Sequence, residues 1–230
     1  MKNCFMCIIV ISVILFPSCQ KQLAGEIGTE NNTLTDKYIT LTANSKWIYQ
    51  VTNNITPTTA PTTFTITSST KDTTINNNIY HIFINSNGGN QYLNIRGHDY
   101  YQYDSVPLAK AASIERLYLK DDALVNTSWI QNINLNIPNV PIPLPLLITN
   151  TIKAKGISKT VNNINYADVI HVQTSISSTL IPAASFTTDI NSYYAKKFGL
   201  IENTSVIKLN YLGLVQNADI KTILLSADLK

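Results

Sequence analysis

Residues 72–84 read Asp72-Thr73-Thr74-Ile75-Asn76-Asn77-Asn78-Ile79-Tyr80-His81-Ile82-Phe83-Ile84. Two runs rich in β-branched and aromatic side chains flank three asparagines. Strands favour such side chains because they pack well on a pleated surface, and asparagine tolerates the positive φ of a tight turn. The stretch therefore predicts an antiparallel hairpin. The same grammar continues on both sides. Trp47-Ile48-Tyr49-Gln50-Val51 and Phe64-Thr65-Ile66-Thr67 alternate around a Thr/Pro-rich loop, and Gly88-Gly89 turns the chain into Gln91-Tyr92-Leu93-Asn94-Ile95. Gly97-His98-Asp99 then turns into Tyr100-Tyr101-Gln102-Tyr103. This period of two is that of half-buried strands. Only Ala109 to Leu119 suits a short helix. The predicted fold is all-β and antiparallel, either one strongly curved sheet or a two-sheet sandwich.

The hairpin has an echo. Thr160-Val161-Asn162-Asn163-Ile164-Asn165-Tyr166 repeats the Thr, Asn, Asn and Tyr of 74–80 at equal spacing. Ser128-Trp129-Ile130 echoes Ser45-Lys46-Trp47-Ile48, and Ser192-Tyr193-Tyr194 echoes Asp99-Tyr100-Tyr101. Three matches in one order point to a duplication. The expected units are about 38–105 and 117–205, with further strands in 205–230, all within one domain, 38–230.

The N-terminus has the parts of an export signal. Lys2 is followed by an apolar run from Phe5 to Phe16, shorter than the about 20 residues of a spanning helix. Leu15-Phe16-Pro17-Ser18-Cys19 then reads as a lipobox, with a small residue before the cysteine. Residues 1–18 are the expected signal peptide, Cys19 the lipidation site carrying palmitate-type chains, and 19–37 a polar tether. The other two of the three cysteines, Cys4 and Cys7, fall in the removed segment, so no thiol pair remains for a disulfide. Two or three acyl chains are enough for stable anchoring. The expected location is the outer membrane, on its periplasmic face or the cell surface.

Composition narrows function. Charged residues make up 13% and the formal charge is +3, without the basic cluster that nucleic acid requires. His81, His98 and His171 lack the spacing of a zinc site. The calcium-loop pattern is missing around the Asp121-Asp122 pair, and no elbow, Ser-Lys or His-Glu motif of the common hydrolases occurs. Glu115, Asp121, Asp168 and Asp189 are the carboxylates available for glycoside cleavage, but a non-enzymatic chain without cofactor is the expectation. Two stretches suggest partners. In 137–148, prolines alternate with apolar residues, and Val140, Ile142, Leu144 and Leu146 form either a core crossover or an exposed apolar lip. Tyr92, Tyr101 and Tyr103 offer an aromatic platform for a glycan.

The residues Leu41, Ser45-Lys46-Trp47-Ile48-Tyr49, Tyr80 and Tyr193-Tyr194-Ala195-Lys196-Lys197-Phe198-Gly199-Leu200-Ile201 resemble a group of uncharacterised lipoproteins typical of Bacteroidota. Their pattern runs P-L-x-x-G-x-x-W-x-Y early and Y-Y-A-x-G-V-G-L-I late. This chain has Asn44 or Ser45 for the first glycine, and Lys197 for the one before Phe198. The resemblance implies an antiparallel β protein at the outer membrane and no particular chemistry. The sequence thus leads to a monomeric, membrane-tethered binding or structural module. A carrier or sensor of an apolar small molecule is the alternative, and a glycan-binding or glycan-cleaving protein the third.

Overall fold

The computed structural model describes residues 37–56, 58–106, 109–135 and 143–230. Cys19, the signal peptide, the tether up to residue 36, Val140 and Ile142 lie outside them. Twelve strands follow one another: β1 (Lys46–Asn53), β2 (Thr62–Ile75), β3 (Asn78–Asn85), β4 (Asn90–Arg96), β5 (Asp99–Val106), β6 (Ala109–Lys120), β7 (Ser128–Leu135), β8 (Leu144–Val161), β9 (Ile164–Ser177), β10 (Phe186–Ala195), β11 (Gly199–Tyr211) and β12 (Leu214–Asp228). All belong to one antiparallel sheet ordered β6-β5-β4-β3-β2-β1-β12-β11-β10-β9-β8-β7. This is the curved single sheet of the two architectures expected, not the sandwich. Ala109–Lys120 is a strand and not a helix. Its backbone pairs with β5 from Asp99↔Lys120 to Val106↔Ala109, and that ladder overrides the helix preference of its alanines, the best helix formers.

The asparagine turns form as the residues require. Asn76 and Asn77 join β2 to β3 at φ 50° and 63°, and Asn162 and Asn163 join β8 to β9 at φ 47° and 62°. Both are two-residue connections with left-handed central residues, which match the strand twist. Trp47 on β1 and Trp129 on β7 are likewise six strands apart. The tyrosine pairs break the pattern, since Tyr100-Tyr101 opens β5 and Tyr193-Tyr194 closes β10.

The sheet curls until its edges face each other. On the far side β1 and β12 are zipped by a ladder from Lys46↔Asp228 to Asn53↔Ile220. The edges β6 and β7 are bridged differently, by side chains reaching backbone. Trp129 Nε1 donates to Leu117 O at 2.8 Å, Asn150 Nδ2 to the same carbonyl at 3.3 Å, and Gln131 Nε2 to Glu115 O. The result is a nearly closed barrel with one side-chain seam. Closure protects edges that would otherwise template aggregation.

Alternation sets inside from outside. On β8, Leu144, Leu146, Ile148, Asn150 and Ile152 are buried and their neighbours only partly so. Leu144 and Leu146 are therefore core, packed with Ile133, Phe186, Ile207 and Leu209, and not an exposed lip. The register with β7 (Leu135↔Leu144, Ile133↔Leu146) turns them inward. Pro145 is tolerated there because β8 meets β9 only from Leu147 onward.

One end of the barrel is capped by the incoming chain. Lys197 N donates to Lys37 O at 2.8 Å and Thr40 N to Lys197 O at 3.2 Å, while Ile39 bridges to Phe198. Gly199 sits at φ 73°, and a Cβ there would meet Ile39 at 3.2 Å, so both backbone conformation and space require glycine. Tyr38 N donates to Tyr100 Oη at 3.1 Å, and Tyr100 Oη donates to Asp121 at 2.5 Å. The described residues from 37 to 230 lie in one compact unit that carries a continuous sheet and its own core clusters, which is what an independently folding domain needs.

Candidate functional site: two chambers inside the curved sheet

The inward-facing side chains do not fill the barrel. Near the capped end lies a chamber of about 180 Å³ walled by Trp47, Tyr49, Phe64, Ile66, Phe83 and Leu93, with Gln91, Gln102 and Thr222 adding polar atoms. A second chamber of about 280 Å³ follows, walled by Ile148, Ile176, Ile190 and Ile207. Its polar belt includes Gln102, Arg116, Gln131, Asn150, Ser192 and Asn203, with Thr174 and Ser205 beside them. Gln102, Tyr118, Tyr194 and Leu200 belong to both walls. Tyr118 and Tyr194 lie ring against ring at 5.4 Å and act as the partition.

The register explains the belt. Gln102 stands opposite Arg116 across β5 and β6, and Asn150 opposite Thr174 across β8 and β9. These polar residues occupy inward positions, where their groups must find partners. Thr174 Oγ1 donates to Asn150 Oδ1 at 2.6 Å and Asn203 Nδ2 to Ser192 Oγ at 2.9 Å. Arg116 forks onto Asp104 through Nε at 3.0 Å and Nη2 at 2.7 Å. Two buried atoms in the walls have no partner: the Nε1–H donor of Trp47, a residue 1% exposed, and the Oε1 acceptor of Gln131. Burial pushes the hydroxyl pKa of Tyr49, Tyr118 and Tyr194 above the usual 10, so these walls stay neutral at physiological pH.

The other candidates are dispersed. Tyr92 pairs with Tyr103, two residues from Tyr101 on β5, so all three share the face opposite Leu93 and Gln102. One face of Tyr101 is covered by the Arg96 guanidinium, 3.4 Å from its centroid, and Tyr103 packs on Tyr80 at 6.0 Å. Those contacts occupy ring surface that a sugar would need. The four carboxylates each hold a different neighbour. Glu115 accepts from Tyr80 and pairs with Arg96 at 2.5 Å, and Asp121 takes His98 and Tyr100, both at 2.5 Å. Asp168 takes Tyr38 and Lys196, both at 3.2 Å, and Asp189 takes Asn191 at 2.8 Å. His171 stacks on Tyr193 at 4.3 Å and meets Asn191 at 2.9 Å. Among the described residues no group of three metal-ligating side chains forms.

One constellation was invisible in the sequence. A bulge between Ser68 and Asp72 lets His81 place Nε2 at 2.8 Å from Ser68 Oγ and Nδ1 at 2.7 Å from Asp72. The order of groups is that of a serine-hydrolase triad. Ser68, however, is 0% exposed, donates to Leu41 O at 2.9 Å, and lines neither chamber. A nucleophile must meet its carbonyl, and this one is sealed. The trio pins the β2 bulge.

No protein-family model and no curated protein matches the chain. Among solved structures, one provisionally designated lipoprotein from Parabacteroides distasonis aligns over 84% of this chain and 99% of its own, at 10% identity and a TM-score of 0.41. A likeness at that level decides nothing about function.

Proposed function

We propose that this chain is a cell-envelope lipoprotein, held at the outer membrane through Cys19, that binds an apolar small molecule inside its curved sheet without chemically altering it. The observation that carries the reading is the pair of adjoining chambers, apolar in most of their walls and meeting at Gln102, Tyr118, Tyr194 and Leu200. Small-molecule sites are concave, mostly apolar and marked by a few placed polar groups, and β-barrel interiors are a recurrent setting for them. An interior at native density has few voids larger than a water molecule, and a chamber of about 280 Å³ exceeds the roughly 150 Å³ that holds benzene in an engineered core. The N-terminal lipobox supports the anchor, and the engaged carboxylates and sealed Ser68 support a role in binding rather than turnover.

Native mass spectrometry of residues 24–230, purified gently from a Gram-negative periplasm, tests the binding reading. A co-purifying mass in the lipid range, released on unfolding, is the expected result. An unliganded mass that persists after incubation with a periplasmic lipid extract argues against it. Cys19→Ala in the full chain tests the anchor: the protein is expected to leave the membrane fraction unprocessed, and unchanged processing and membrane association would defeat the assignment.

A further inference from the structure

We infer that the larger chamber takes an amphiphile with a hydrogen-bond-accepting head, a carboxylate foremost, seated at the free edge of Arg116 with its apolar chain among the isoleucines. The inference rests on the binding reading above and names the head group of its ligand.

Arg116 is the one charged side chain in the described walls of the two chambers. A guanidinium carries five N–H donors and no acceptor. Asp104, on the adjacent strand, accepts from Nε at 3.0 Å and from Nη2 at 2.7 Å. That fork fixes the plane of the guanidinium. It leaves Nη1 without a hydrogen bond to any described residue. The charge is felt inside the barrel. Burial raises the hydroxyl pKa of Tyr118 and Tyr194, the two rings between the chambers, and the Arg116 charge acts against that rise.

Gln102 stands opposite Arg116 in the β5–β6 register. Its amide and the hydroxyl of Ser205 on β11 also have no hydrogen-bond partner among the described residues. Unpartnered atoms with no accessible surface are those of Trp47, Asn94 and Gln131. The open groups of Arg116, Gln102 and Ser205 are therefore accessible, and all three residues line the larger chamber. An open acceptor exists too, Asn203 Oδ1, whose Nδ2 donates to Asn191 O and Ser192 Oγ. Strength decides between them. A hydrogen bond from a charged donor to a carboxylate is roughly twice as strong as a neutral one, so accepting oxygens gain most at Nη1. The side chains of Arg116 and Asp104 are 33% and 25% exposed. A carboxylate there keeps water on its outer side and is not sealed among apolar walls. Ile148, Ile176, Ile190 and Ile207 then receive the chain. Scaled from benzene in about 150 Å³, the chamber holds on the order of ten non-hydrogen atoms.

Octanoate and octylammonium have this size and opposite heads, the first accepting only and the second donating only. Each is titrated at pH 7 into residues 24–230, read by isoleucine methyl NMR, with decane as a headless control. Octanoate is expected to bind at least about tenfold more tightly than octylammonium, the scale of one well-placed polar interaction. The double variant Asp104→Asn/Arg116→Met removes both charges together, so no lone carboxylate remains to repel the ligand. It should weaken octanoate by about tenfold, with decane changed less than about twofold. Gln102→Leu, the second variant, should weaken octanoate by about threefold. Decane binding in each variant shows that its chamber has formed. Octylammonium binding as tightly as octanoate, or octanoate affinity unchanged in both variants, overturns the inference while decane binding still upholds the apolar chamber. Failure of decane and both amphiphiles to bind removes the underlying reading, and the inference with it.

Discussion

The two tryptophans allow one substitution to be made in two opposite environments. Trp47 is 1% exposed, packs on Phe83 at 5.6 Å, and has a buried Nε1–H without an acceptor. Trp47→Phe deletes the nitrogen and a few ring atoms. The lost packing costs about 1–2 kcal/mol, and removing an unsatisfied buried donor returns about 1–3 kcal/mol. The net change should lie between about 2 kcal/mol of stabilisation and about 1 kcal/mol of destabilisation. Trp129 is half-buried at the seam, and its Nε1 donates to Leu117 O at 2.8 Å. Trp129→Phe loses a made hydrogen bond of about 1 kcal/mol together with about 1 kcal/mol of packing. Leu117 O keeps Asn150, so no orphan is added. The sum, about 2 kcal/mol, lowers Tm by roughly 4–8 °C for a domain of this size. Urea unfolding followed by far-UV circular dichroism measures both, on protein refolded from denaturant so that no ligand contributes. A Trp47→Phe variant less stable than Trp129→Phe by more than about 2 kcal/mol would refute the assignment of one indole as orphaned and the other as a latch.

Other expectations are simpler. Leu146→Asp places a carboxylate among Ile133, Phe186, Ile207 and Leu209 and should abolish cooperative unfolding; a soluble variant with native stability would return Leu146 to the surface. Leu212 is exposed and held at φ 47° before Gly213, so Leu212→Asn should stabilise the β11–β12 turn by about 1 kcal/mol, and a drop in Tm would contradict the turn geometry. Burial raises the pKa of Tyr38, Tyr49, Tyr80, Tyr100, Tyr101, Tyr118, Tyr166 and Tyr194 above 10. The unfolded chain then releases those protons first, and stability present below pH 10 should fall as pH rises past it; denaturant midpoints that stay constant into strong alkali would oppose this. A fluorophosphonate probe should leave Ser68 unlabelled in the folded protein, and labelling that His81→Ala abolishes would show a working triad.

The strands were legible because their reasons are local. Asn76-Asn77 and Asn162-Asn163 announce turns, and the alternation from Trp47 to Val51 announces which side is buried. Leu144 and Leu146 illustrate the limit. Prolines around them suggested a segment outside the sheet, yet the pairing of β8 with β7 decided their burial, and pairing partners are not written in the strand itself. Ala109 to Leu119 was misread for the same reason, since β5 supplies the ladder that makes it a strand. The chambers lie further from view. Gln102, Arg116, Gln131 and Asn150 come from four strands and meet only because the sheet curls. A hint was present nonetheless: Asn150 interrupts the apolar inward series of β8, and an amide at a core position marks either a network or a site. The Ser68–His81–Asp72 trio depended on a bulge and had no sequence signal at all.

The hollow, apolar interior is tested most directly by methyl NMR of residues 24–230 labelled at isoleucine, titrated with decane. Decane has no head group and can gain only by leaving water. The expected result is saturable shifts at Ile148, Ile176, Ile190 and Ile207 in the larger chamber, while the exposed Ile79 and Ile130 stay unchanged. No shift at the four inner methyls, or shifts confined to the two outer ones, would mean that the sheet curls around a closed core and that binding must be sought elsewhere.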